Sequence, residues 1–161
     1  MRLLFAFAFC LCPTLAAANP ETDPARYVRT DSLSVDSSAA ESLARHLLGP
    51  NIAEAEAGVG RPITVQADLV TFQDGRRMLA ASLCDAIWFG RTGCSSDIFI
   101  ADPGSERFVA ALAGLIGGGP FWLDLQLGAG GWPDIVVAPA SINDGYVTFR
   151  WNGQQFVGLG Y

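Results

Sequence analysis

Apolar positions recur along this chain with two different periods, and the change from one to the other divides it. Ala40, Leu43, Ala44, Leu47 and Leu48 fall at helical spacing. Ser38 and Glu41 offer an S-x-x-E capping box at the start, and Arg45 and His46 stand in the last turn, where positive charge suits the helix dipole. Gly49-Pro50 is the expected stop, with a further turn or two possible over 51–57 before Gly58 and Gly60. From Pro62 onward the period shortens to two. Ile63, Val65, Ala67 and Leu69 alternate with Thr64, Gln66 and Asp68, the pattern of a half-buried strand. Asp74-Gly75 turns this strand and residues 78–84 return. Further strands are expected over 96–101, 121–127 and 134–138, the last followed by a turn at 142–145.

Two segments test the pattern more closely. In 107–116, Phe108, Leu112 and Leu115 would line a helix, but the flanking Gly and Pro turns favour a strand. At the C-terminus, Asn152-Gly153 signals a two-residue hairpin. That register sets Phe149 opposite Phe156, with Val147 and Trp151 on their face and Thr148 and Arg150 on the other. The expected fold class is α+β: one N-terminal helix packed on a mainly antiparallel β-meander sheet of about seven strands, forming a single domain over 32–161. Pro20 and Pro24 mark 19–31 as a flexible leader.

The first eighteen residues follow neither period. Arg2 precedes an apolar run from Leu3 to Leu15, and Ala16-Ala17-Ala18 supplies small residues before Asn19. This is the layout of a secretory signal peptide cleaved after Ala18. The run falls short of the roughly 20 residues that span a bilayer, so no membrane span is expected after cleavage. A periplasmic or secreted location follows. It also changes the reading of the cysteines: of four, Cys10 and Cys12 lie in the leader segment, and Cys84 with Cys94 remain as a disulfide pair. Nine residues between them do not match a redox-active Cys-x-x-Cys.

Charge narrows the partners. Sixteen Asp and Glu against ten arginines give a net charge of -6, which disfavours nucleic acid and anionic membrane surfaces. Candidate catalysts are few. His46, the one histidine, sits at a helix end; no Gly-x-Ser-x-Gly elbow, zinc ligand set, EF-hand loop or complete phosphate loop occurs. No cofactor or metal is expected. The remaining enzymatic route is a pair of carboxylates acting on a glycosidic bond, drawn from Asp85, Asp97, Asp102, Asp124 and Asp134.

Two segments carry candidate binding residues. The loop closed by Cys84 and Cys94 holds Asp85, Trp88, Phe89 and Arg91, with residue types that dominate binding hot spots and little entropy left to lose. The competing reading folds Trp88 and Phe89 inward as a cap on the core. The second segment is Gly131-Trp132-Pro133-Asp134, where Trp132 and Asp134 are secondary candidates within a strand-entry motif.

These residues carry a resemblance. Cys84 and Cys94 followed by Asp97-Ile98-Phe99-Ile100, then Gly131-Trp132-Pro133-Asp134-Ile135-Val136-Val137 and Phe149-Arg150-Trp151-Asn152-Gly153, resemble a group of small exported bacterial proteins of uncharacterised function. Pro133-Asp134-Ile135-Val136-Val137 is also similar to one strand of FG-GAP propeller repeats, without their array or their calcium loop. A looser likeness is to periplasmic inhibitors of vertebrate lysozyme, which place a helix before an antiparallel sheet and block the enzyme with a loop closed by two cysteines. Only Cys84 and Cys94 carry over; the histidine of the inhibitor's loop has no counterpart here. The resulting expectation is a non-enzymatic binding protein acting on an envelope protein or polysaccharide through the 84–94 loop. A carboxylate-dependent hydrolase of envelope polysaccharide is the alternative.

Overall fold

The computed structural model describes residues 19–90, 93–116, 120–138 and 145–159. The expected signal segment, Arg91, the 117–119 glycine break and most of the 142–145 turn lie outside them. Among the described residues, three helices and nine strands follow in the order β1 (Tyr27–Arg29), α1 (Thr30–Leu33), α2 (Ser37–Leu47), α3 (Gly49–Val59), β2 (Thr64–Thr71), β3 (Arg77–Cys84), β4 (Cys94–Ala101), β5 (Val109–Ile116), β6 (Phe121–Ala129), β7 (Trp132–Val137), β8 (Val147–Trp151) and β9 (Phe156–Gly158). The class is α+β and the pairing antiparallel throughout, as expected. The strands divide between two sheets, ordered β2-β3-β4-β5 and β1-β6-β7-β8-β9.

The two sheets pack face to face, and α2 and α3 cover the outer side of the four-stranded one. Odd positions of β3 and β4 (Leu79, Ala81, Leu83, Phe99, Ala101) meet Ala40, Ala44, Leu48, Ile52 and Ala55 of the helices. Even positions (Met78, Ala80, Ile98, Ile100) meet Leu123, Trp132, Ile135 and Val137 of the other sheet. Strand β3 is therefore buried on both faces from Met78 to Leu83, which erases the polar alternation expected of a strand with one wet face.

Helix α2 starts two residues before the expected box. Asp36 is the N-cap and its Oδ1 accepts from the Ala39 N–H at 2.9 Å, while Glu41 reaches forward to pair with Arg45 at 2.9 Å. Gly49-Pro50 ends α2 and also opens α3, since proline suits the first turn of a helix. The segment 19–31 is not a loose leader: Tyr27–Arg29 pairs with β6 and Tyr27 is buried. Residues 109–116 form a strand, as the flanking turns favour.

The C-terminal hairpin closes with a four-residue loop in place of the two-residue turn. Asn152 Oδ1 accepts from the N–H groups of both Gln154 and Gln155 at 2.9 Å, and the Asn152 N–H donates to the Gln155 carbonyl. This shifts the register so that Trp151 opposes Phe156, with ring centroids 5.4 Å apart, and Phe149 opposes Gly158. The side-chain capping of asparagine outweighs the local preference of Asn-Gly for a tight turn.

Candidate functional site

Cys84 and Cys94 are direct partners in the β3–β4 ladder, with Cα atoms 4.0 Å apart, and their sulfurs are bonded. The next pair outward is hydrogen-bonded, the Asp85 N–H donating to the Gly93 carbonyl at 2.7 Å. The cysteines thus occupy a non-hydrogen-bonded pair, where side chains approach closest. The bond closes the loop at its base and is compatible with an extracytoplasmic location.

Asp85 organises the loop from inside. Its side chain is 2% exposed, one oxygen accepts from the Ile87 and Trp88 N–H groups at 2.8 and 3.2 Å, and the other pairs with Arg61 at 2.5 Å. The Phe89 N–H donates to the Asp85 carbonyl at 2.9 Å, completing a helical turn. A carboxylate engaged by two amides and a guanidinium is a brace, not a contact group, so Asp85 leaves the set of surface-recognition candidates.

The two aromatics part company. Phe89 packs against the helix-side core. Trp88 remains 41% exposed and Ile87, which its plain aliphatic character did not single out, is 74% exposed. The Trp88 ring packs against α3 at Gly58: a Cβ placed there would stand 2.0 Å from Trp88 Cζ3. Three ties therefore converge on one end of α3 and its exit: the disulfide through β3, the Arg61–Asp85 pair and the Trp88–Gly58 contact. Arg91 lies outside the described residues.

The secondary candidates sit in the interior. Trp132 is 4% exposed, edge-on to Phe72 at 5.7 Å and tilted against Trp151 at 6.4 Å, with the Arg76 guanidinium 4.7 Å from its ring centre. Asp134 is fully buried and directly opposite Asp124 across β6 and β7. Arg150 clamps Asp134 through Nε at 2.9 Å and the terminal nitrogen at 2.6 Å, and Arg26 clamps Asp124 likewise at 3.1 and 2.7 Å. The result is an Arg–Asp–Asp–Arg row across β6, β7 and β8 and the residue that precedes β1. Of the carboxylates considered for hydrolysis this is the one cross-strand pair, and bidentate guanidiniums already occupy both members.

Two other acids, buried Asp97 and half-buried Asp68, have less compensation. Burial raises the Asp97 carboxyl above the ordinary range, opposed by a hydrogen bond from the Gly114 N–H at 2.8 Å at a β5 bulge. Burial likewise raises Asp68, opposed by the Thr30 hydroxyl at 2.8 Å. His46 is exposed in the last turn of α2. Among the described residues no three His, Cys, Asp or Glu side chains gather to hold a metal ion, and no helix is long and apolar enough to cross a membrane. Compared with models of protein families, with curated protein sequences and with solved structures, the chain matches none of them.

Proposed function

We propose that this is an exported, non-enzymatic binding protein that inserts the tip of its disulfide-closed 84–94 loop into a concave partner of the bacterial envelope. One observation carries the reading: Ile87 and Trp88 stand exposed, at 74% and 41%, on a loop fastened at its base and along one side. Apolar side chains on a rigid projection lose little entropy on docking and gain by leaving water. Ile87 fills the deepest part of the partner's pocket and Trp88 seals its wall. Export rests on the signal-like character of residues 1–18 together with the disulfide. The likeness to periplasmic lysozyme inhibitors makes an enzyme cleft the favoured partner shape.

The test replaces Ile87→Asp together with Trp88→Ala, both at exposed positions, and compares recovery of partners from envelope extracts with the unsubstituted protein. A specific partner retained by the parent and lost by the variant is expected; equal recovery contradicts the proposal. In the inhibitor version, the parent at micromolar excess slows lysozyme on cell-wall substrate and the variant does not. The competing reading, a carboxylate-dependent hydrolase of envelope polysaccharide, rests on the opposed Asp124–Asp134 pair. It requires a guanidinium to release one carboxylate, and polysaccharide cleavage abolished by Asp134→Asn in a folded variant would favour it.

A further inference from the structure

The end of the sandwich opposite the 84–94 loop gathers four turns: Phe72 to Arg76, Asp102 to Phe108, Gly130-Gly131 and Asn152 to Gln155. They interlock. The Trp151 ring edge fills the space beside Gly130, where a Cβ would stand 2.6 Å from Cδ1. Arg76 fills the equivalent space at Gly131, stacks on Trp132 and pairs with Asp74, its Nε 2.7 Å from Oδ2. Pro103 lies 3.5 Å from the Cβ position of Gly75. Between the last three of these turns opens a cleft of ≈ 580 Å³, within the range usual for small-ligand sites.

The chemistry of the lining is specific. Half-buried Trp151, backed by the buried Trp132, supplies aromatic surface, and Asp102, Arg107 and Gln154 stand around it. The side chains of those three make no hydrogen bond or ion pair with any described residue. Seven other described arginines each engage a carboxylate or a carbonyl: Arg26, Arg29, Arg45, Arg61, Arg76, Arg77 and Arg150. Arg107 is thus the described arginine whose side chain has no partner among the described residues. One carboxylate and one guanidinium balance in charge, which gives an ionic ligand no net attraction. Three planar groups offering paired donors or acceptors disfavour a wholly apolar one. A ring with one apolar face and hydroxyls around its edge satisfies both parts, since aromatic surface takes the face and the planar groups take adjacent hydroxyls.

We infer that this cleft binds a pyranose unit of a neutral oligosaccharide, with Trp151 as the stacking surface and Arg107, Asp102 and Gln154 as hydroxyl partners. The site is separate from the loop tip and does not depend on it. The four tryptophans report on it individually: Trp88 marks the loop, Trp122 the outer face of the five-stranded sheet, and Trp132 with Trp151 the cleft. The experiment titrates the nitrogen-15-labelled protein with a β-1,4-linked N-acetylglucosamine tetramer and, separately, a β-1,4-linked glucose tetramer, each to about 10 mM, a range that registers Kd values near 1 mM. Saturable shifts of the Trp151 and Trp132 indole resonances are expected with at least one of them, while Trp88 and Trp122 stay in place. Arg107→Ala, at an exposed position, weakens binding about tenfold or more, a difference of about 1.4 kcal/mol. Trp151→Phe keeps more affinity than Trp151→Ala, with an unchanged Trp122 resonance certifying the fold. No saturable shift with either sugar, shifts confined to Trp88, or unaltered affinity in Arg107→Ala overturns the inference.

Discussion

The two ends of the sandwich are held by different means and present different surfaces. At one end a covalent bond between directly opposed strand residues closes a loop that carries apolar side chains outward. At the other, about 23 Å away along the eight residues of β4, four turns lock through an arginine stacked on a tryptophan and through rings seated against glycines. The first end is a projection and the second a cleft. The difference teaches that an exposed apolar tip needs external fastening, because it contributes nothing to its own burial. A cleft lined by aromatics draws its rigidity from the same contacts that shape it.

The contrast breaks most visibly at the cleft. Trp132→Ala removes a buried indole in contact with Phe72, Trp151 and Arg76 and is expected to cost about 3–5 kcal/mol, read by denaturant unfolding. Removing the bond with Cys84→Ser and Cys94→Ser is expected to cost about 2.5–3 kcal/mol, from the entropy of a loop with ends 10 residues apart. The comparison sharpens if the two losses differ in kind as well as size. The tryptophan change disturbs the indole resonances of Trp151, whereas the serine pair disturbs that of Trp88 and leaves the cleft unaltered.

A smaller effect isolates the preorganisation of the tip. Gly58→Ala in α3 gains up to about 1 kcal/mol of helix propensity, yet its Cβ takes the space of the Trp88 ring. The ring belongs to an exposed loop and yields outward. The expected outcome is a thermal midpoint unchanged or raised, a red-shifted Trp88 emission and weaker partner binding. A stable variant whose Trp88 emission does not move would separate the loop from α3 and contradict the bracing.

The smallest expected effect concerns pH. Asp97 has its folded carboxyl raised by burial, so the folded state holds that proton more tightly than the unfolded chain. Its contribution is present below the unfolded carboxyl value of about 4 and is lost as pH rises through the folded one. Asp97→Asn keeps an oxygen for the Gly114 N–H and cannot titrate. The stability of the parent relative to this variant is therefore expected to fall as pH rises from below 4, measured by urea midpoints. A relative stability that rises with pH would reverse the assignment.

Much of this architecture was legible locally. The alternation in β2, the Asp74-Gly75 turn and the paired cysteines all read correctly, because each is decided by residues near in sequence. The division into two sheets was not, since β3 is apolar on both faces and a run without alternation does not say how many layers it separates. The last hairpin misled because the Asn152 side chain caps a longer loop. Within the candidate site the cysteine bracket was legible as a bonded pair at the base of a loop. Sequence could not tell that Phe89 turns inward while Ile87 stands out, a choice made by packing against helices some thirty residues earlier. The Asp124–Asp134 opposition was also hidden, because a bulge at 125–127 sets the β6–β7 register.

The central claim is that the tip of the 84–94 loop touches a partner in the envelope, and site-directed photo-crosslinking tests it most directly. A photoreactive phenylalanine analogue replaces Ile87 in one protein and Gln73, exposed at the opposite end, in another. The account predicts a discrete higher-mass adduct from position 87 in intact cells, absent at position 73 and lost when Trp88→Ala is added. No adduct at 87, or the same adduct from both positions, would contradict it.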